Sequence, residues 1–164
     1  MSCLGGFRAI TKEELDKLRA VPRADRVPDY LDDIMVQEDS CALDKAWDAI
    51  HRALNNSRLE FGTPFFPDGW VILGGEVLRG DRPGEEDYIV VCKDPDHVQR
   101  VYHFLLHMTE KDFRELYFAI DPKQYGFELS EDDFEYTWYY LSDSIPFWKN
   151  AAEKGLWVLF DVDQ

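Results

Sequence analysis

Four histidines, three cysteines and a glycine pair are the residues of this chain best suited to chemistry, and their spacing decides how much they could do. His103 and His107 stand four apart, the separation at which two imidazoles share one helix face and can grip a metal ion. Phe104 occupies the place of the glutamate that a metalloprotease helix needs. On a wheel of about 100° per residue both rings fall roughly 140 to 180° from Val98, opposite the apolar side. No metal site is expected there, and no cofactor elsewhere. His51 stands one helical turn from Trp47, where a sheltered imidazole could titrate near neutrality, and Glu76 is the carboxylate that could orient it. The competing and simpler reading is a core-edge histidine bonded to a backbone carbonyl. Gly74-Gly75, just before Glu76, could bring backbone amides toward a ligand. A plain tight turn is the competing reading, since the pair lacks the spacing of either phosphate-binding fingerprint. The candidate ligand-binding residues are therefore Trp47, His51, Gly74, Gly75 and Glu76. Asp161 and Asp163 offer two carboxylates at a very common spacing, and no serine or cysteine lies in a nucleophile motif. No catalytic set is assigned, and the chain leans away from an enzyme.

Positioning these residues falls to a few elements. Leu43, Trp47, Ile50 and Leu54 recur at the spacing that lines one face of a helix, so residues 43 to 54 are expected to lie as a helix on a core with Trp47 as anchor. Residues 2 to 10 read as a first strand, with Gly5-Gly6 hinting at a bulge. Thr11 followed by Glu14 is a capping box opening a helix over 12 to 20, with Leu15 and Leu18 inward. Pro28 suits the first turn of a second short helix carrying Tyr30, Leu31, Ile34 and Met35. The stretch from Asn55 to Trp70 holds two prolines and two glycines, which forbids regular structure, yet it carries Phe61, Phe65, Phe66 and Trp70. Such a loop either wraps part of the core or forms a lid or contact surface. Val71-Ile72-Leu73 could be a short strand or a helical turn.

Tyr88 to Cys92 is a strand by its β-branched content. Asp94-Pro95 opens a helix to about Met108, Thr109 caps another, and Ser130 followed by three acids starts the longest one. In that last helix Phe134, Trp138, Leu141, Ile145, Trp148 and Ala152 form one stripe, with a kink expected near Ser142 because Pro146 cannot donate to it. Tyr136, Tyr139, Tyr140 and Phe147 occupy its other side, so the helix is either covered twice within the domain or presents an aromatic contact surface. Leu156 to Val162 reads as a closing, central strand. Strands interspersed with helices imply an α+β fold, one domain over residues 1–164 with helices on a small mixed or antiparallel sheet.

The totals constrain partners and compartment. With 18 basic against 33 acidic residues the formal charge is −15, a field that repels phosphate backbones and anionic lipid surfaces. Neither nucleic acid nor membrane is an expected partner; a basic protein partner or self-association is. Cys3, Cys41 and Cys92 fit neither a disulfide framework nor a zinc spacing, which suits a reducing cytoplasm. The first 20 residues lack an apolar signal core, and no run approaches the ~18 apolar residues of a membrane span.

With these pieces in place, the chain resembles the YfbM-like family of bacterial proteins, a domain of unknown function. The resemblance rests on the Gly-containing first strand before a capped helix, Leu-Asp-Lys-Ala-Trp-Asp-Ala-Ile-His at 43 to 51, Leu-Gly-Gly-Glu at 73 to 76, and the long helix leading into a final strand. Asp44-Lys45, Trp47, His51 and Leu73-Gly74 are its most specific part, while the aromatic loop at 61 to 70 and the aromatic back of the last helix depart from it. The resemblance implies a compact α+β domain and no established activity or catalytic set. Function is then expected to be that of a non-enzymatic binding or interaction domain with an acidic surface. The alternative is a small hydrolase or ligand-binding enzyme with a pocket near Trp47, His51 and Glu76.

Overall fold

The strand that comes last in sequence, β5 (Trp157–Asp163), lies in the middle of the sheet, and everything else is arranged on either side of it. A computed structural model describes residues 3–24, 39–61 and 66–164. β1 (Leu4–Ile10) and β4 (Tyr88–Lys93) flank β5, and β2 (Ser40–Asp44) and β3 (Glu76–Arg79) form the edges, giving the order β2-β1-β5-β4-β3 with every neighbouring pair antiparallel. The register aligns Phe7 with Phe160 and Phe160 with Val91 across the three inner strands. A bulge falls between Gly5 and Gly6, where the glycine pair interrupts the β1–β2 ladder.

Alternation divides the sheet into two faces. One face presents Phe7, Ala9, Val91, Val158, Phe160 and Val162 to a layer of helices: α2 (Ala46–Leu54), α3 (Pro95–Leu106), α4 (Glu110–Phe118), the single turn α5 (Pro122–Tyr125), α6 (Glu131–Asp143) and α7 (Ile145–Glu153). Trp47, Phe134 and Trp148 belong to this one continuous core, so the central helix and the aromatic ridge do share an interior. Trp148 is fully buried, edge-on to Phe7 at 5.0 Å. The other face holds a smaller cluster in which Ile10, Leu78, Val90, Cys92 and Leu159 meet Leu15 and Leu18 of α1 (Lys12–Ala20). The architecture is a single α+β domain.

The helix starts follow their capping residues. Thr11 and Thr109 form capping boxes with Glu14 and Asp112, while Asp94 and Ser130 each accept an amide three residues on. These four boundaries match the sequence expectation. Two others do not. The expected helix over 43 to 54 begins only at Ala46, because Leu43 belongs to edge strand β2 and Asp44 turns the chain with a positive φ of 51°. Leu43 is nonetheless fully buried, having reached the core from a strand. The expected single helix kinked near Ser142 is instead two helices divided at Ser144. Its amide bonds the Tyr140 and Leu141 carbonyls at 3.2 Å and its hydroxyl donates to Leu141 O at 2.6 Å, closing α6 before Pro146 enters the first turn of α7. Val71 to Leu73 form a buried helical turn and no strand. The helix expected near 28 to 35 and residues 62–65 of the aromatic loop lie outside the described residues. Among the described residues, no helix is long and apolar enough to cross a membrane.

Candidate functional site

Trp47 and His51 project from α2 into the core and are enclosed there. The Trp47 indole donates to Cys3 O at 3.0 Å and packs against Phe160 with ring centroids 5.6 Å apart. His51 is fully buried, and its Nε2 lies 3.2 Å from the Glu60 carbonyl, so Nε2 donates and Nδ1 carries the lone pair. Nδ1 is buried without a hydrogen-bond partner among the described residues. Burial, reinforced by the nearby Lys93 and Arg52 charges, pulls this imidazole down to about 4 against the raising effect of the Glu60 bond, so it is neutral at physiological pH.

Glu76 is not brought to it. On β3, Glu76 stands opposite Cys92, whose side chain belongs to the α1 face of the sheet, and its carboxylate pairs with Arg19 of α1 at 2.5 Å. The sheet therefore lies between His51 and Glu76, and the acid–base pairing considered from the sequence is not formed.

The glycines serve neither partner. A Cβ on Gly74 would stand 2.6 Å from the Trp70 ring, and one on Gly75, at φ +129°, would stand 2.4 Å from the Cys92 carbonyl. They let Trp70, at the end of a 3₁₀ turn (Asp68–Trp70), settle onto the chain while β3 closes against β4. Trp70 in turn stacks on His97 at 4.1 Å, and His97 Nδ1 lies 2.7 Å from Asp94 Oδ2 at the start of α3.

The sequence also passed over Lys93. Its side chain is fully buried on the helix-covered face, where Nζ donates to the Ile72 carbonyl and lies 5.8 Å from the centre of the Phe160 ring. Burial pulls the ammonium down to about 7. The signal was present: continuing the alternation from Ile89 and Val91 puts residue 93 inward.

An accessible arrangement lies at the other end of the molecule. Between edge strand β2 and helices α6 and α7 runs an open groove of about 700 Å³, lined by Cys41, Tyr139, Tyr140, Asp143, Phe147 and Lys154 with Asp39 at its rim. Tyr139 is 61% exposed and Tyr136 37%. These rings are fixed in place: Tyr140 meets Tyr136 and Tyr139 edge-on at 5.1 and 5.2 Å, its hydroxyl donates to Asp44 at 3.4 Å, and the Lys45 amide donates to the Tyr136 hydroxyl at 3.2 Å. The aromatic back of α6 is thus partly a surface. Asp143 has no cationic partner among the described residues, while Asp39 is only 4.0 Å from the half-exposed Lys154 ammonium. Burial, with Asp143 nearby, pushes the Cys41 thiol up to about 11, so it is no ready nucleophile. His103 and His107 lie ring to ring at 4.6 Å on exposed helix, and no cluster of three or more metal-ligating side chains occurs among the described residues.

Comparison with known proteins agrees with the fold. Residues 1–161 match a family model described as a domain of unknown function, DUF1877. Among solved structures the chain is similar to the protein of unknown function YfbM from Escherichia coli, with 17% identity, 97% of this chain and 99% of that chain covered, and a TM-score of 0.70. No curated protein matches. At that identity the likeness speaks to the fold alone.

Proposed function

The chain belongs to the DUF1877 family, a domain of unknown function, and from that premise we propose that it is a non-enzymatic binding domain whose β2/α6/α7 groove receives a basic segment of a protein partner. The observation that carries this reading is Tyr139, exposed and braced by its neighbours, beside an Asp143 carboxylate that has no cation of its own among the described residues. Exposed tyrosine rings attract guanidinium and ammonium groups by about 0.5–1 kcal/mol each, and an adjacent carboxylate adds a charge-assisted hydrogen bond. The formal charge of −15 steers a basic partner in from a distance and opposes the pairing of two identical copies. The cytoplasm is the compartment that goes with this reading, since all three cysteines are free thiols.

Fluorescence anisotropy with a labelled Arg/Lys-rich peptide and its Glu-substituted counterpart tests the proposal. The basic peptide is expected to bind saturably and more weakly at high salt. Asp143→Lys is expected to weaken it by about tenfold, the equivalent of 1.4 kcal/mol, and Tyr139→Ala by a smaller factor. Equal binding of both peptides, or no effect of Asp143→Lys, would overturn it. A dimer in sedimentation that dissociates in Tyr139→Ala would replace the basic partner by a second copy.

A further inference from the structure

We infer that a second site, independent of the groove, lies on the outer face of α3, where Phe66, Pro67, Gln99, Arg100, His103 and Phe104 form a pocket for a small aromatic carboxylate. The pocket is an open depression of about 500 Å³, within the ~300–1,000 Å³ range of small-molecule sites. Its charge is unusual for this chain: no acidic residue occurs between Asp96 and Glu110, and three of the four histidines, at 97, 103 and 107, fall in that interval.

Arg100 is the recognising group. Most other arginines whose side chains make contacts are neutralised by carboxylates, as Arg8 is by Asp161, Arg23 by Asp81 and Glu85, and Arg52 by Asp48. The guanidinium of Arg100 makes no ion pair among the described residues, its helix neighbour Asp96 included, and lies 5.6 Å from the Phe66 ring centre. A planar cation held over an aromatic wall presents its fork of donors outward, which suits the two oxygens of a carboxylate. The walls suit the remainder of such a ligand, since Phe66 and Phe104 offer ring surface and Pro67 adds a flat apolar flank.

The wall is built before any ligand arrives. Phe66 stands edge-on to Trp70 at 5.3 Å and to His97 at 5.2 Å, those two rings are stacked on each other, and Trp70 is seated against the bare Gly74. A wall of three packed rings loses little freedom on binding.

The test is an NMR titration of the full chain with indole-3-acetate, alongside indole-3-acetamide, which keeps the ring and loses the charge, and acetate, which keeps the charge and loses the ring. Indole-3-acetate is expected to saturate and to shift resonances of Phe66, Arg100 and Phe104, while the amide and acetate bind at least tenfold more weakly. Arg100→Gln is expected to weaken indole-3-acetate at least tenfold with an unchanged melting temperature, whereas Arg58→Gln, which removes an arginine that does not line the pocket, leaves it intact. Equal binding of the amide would reduce the pocket to an apolar cleft. Unchanged binding in Arg100→Gln, or no saturation at millimolar ligand, would overturn the inference, and none of these results bears on the peptide groove.

Discussion

The groove at the β2 edge and the pocket on α3 use the same material to opposite ends. Each consists of aromatic rings on the outer side of a helix, anchored to the same core. In the groove, edge-on ring contacts are tied down by hydrogen bonds of the tyrosine hydroxyls to the Lys45 amide and the Asp44 carboxylate, and Asp143 is the unsatisfied charge. In the pocket, rings hold rings, and Arg100 is the unsatisfied charge. A surplus of aromatics therefore specifies no partner on its own; the sign of the nearest unpaired side chain does that.

The comparison breaks most completely where the two regions share support. Trp148 sits on α7, fully enclosed against Phe7, and α7 packs against α3 as well as bordering the groove. Trp148→Ala is expected to cost about 3–5 kcal/mol in denaturant-unfolding free energy and to weaken both sites together. A loss confined to one region would mean that they do not rest on a common core.

The shared interior also imposes a pH dependence. Lys93 has a folded value of about 7 against an ordinary 10.5, so above pH 7 the folded chain gives up a proton that the unfolded chain keeps until about pH 10.5. Stability attributable to this residue therefore rises with pH across that window and is lowest below 7. His51 adds the same sign lower down: its folded value of about 4 against 6.5 means that stability falls as pH drops from 6.5 toward 4. Relative to Lys93→Met, the wild type is expected to gain a few kcal/mol between pH 7 and 10.5, measured as unfolding free energy at both ends. A constant difference between the two proteins would show that the ammonium is not desolvated.

Gly74→Ala sharpens the contrast, because its Cβ meets only the pocket's side of the molecule. Displacing Trp70 is expected to cost about 1–3 kcal/mol, the usual range for overpacking. It should also shift the indole emission and disturb the pocket while leaving peptide binding at the groove unchanged. The smallest stability effect is expected from Tyr139→Ala, an exposed position where a substitution changes unfolding free energy by about 0.5 kcal/mol or less. Its consequence should appear in peptide affinity alone, and a large loss of stability would place that ring within the core's support.

Legibility in the sequence followed the range of the interaction. Capping pairs such as Thr11 with Glu14 act over three residues and marked their helix starts correctly. The apolar run through Val158-Leu159-Phe160 identified a strand buried on both faces, and that strand is central. Leu43 and Asp44 read as the start of a helix because Leu43 shares the apolar spacing of Trp47, Ile50 and Leu54, and pairing with β1 places them in a strand instead. Pro146 was read as a kink since a missing donor can bend or divide a helix, and the Ser144 hydroxyl selects division. His51 with Glu76 failed because two residues that each suit a role can stand on opposite faces of one sheet. The stack of Trp70 on His97 joins positions far apart in the chain, and no local periodicity announces it.

The central place of β5 has a consequence during synthesis. The β1–β2 and β3–β4 ribbons leave the ribosome first, each with an inner edge that only β5 can pair. Until those seven residues emerge, the nascent chain carries two open templates for foreign strands. Its period of greatest exposure to aggregation, and of greatest need for a chaperone, is the interval just before β5 emerges.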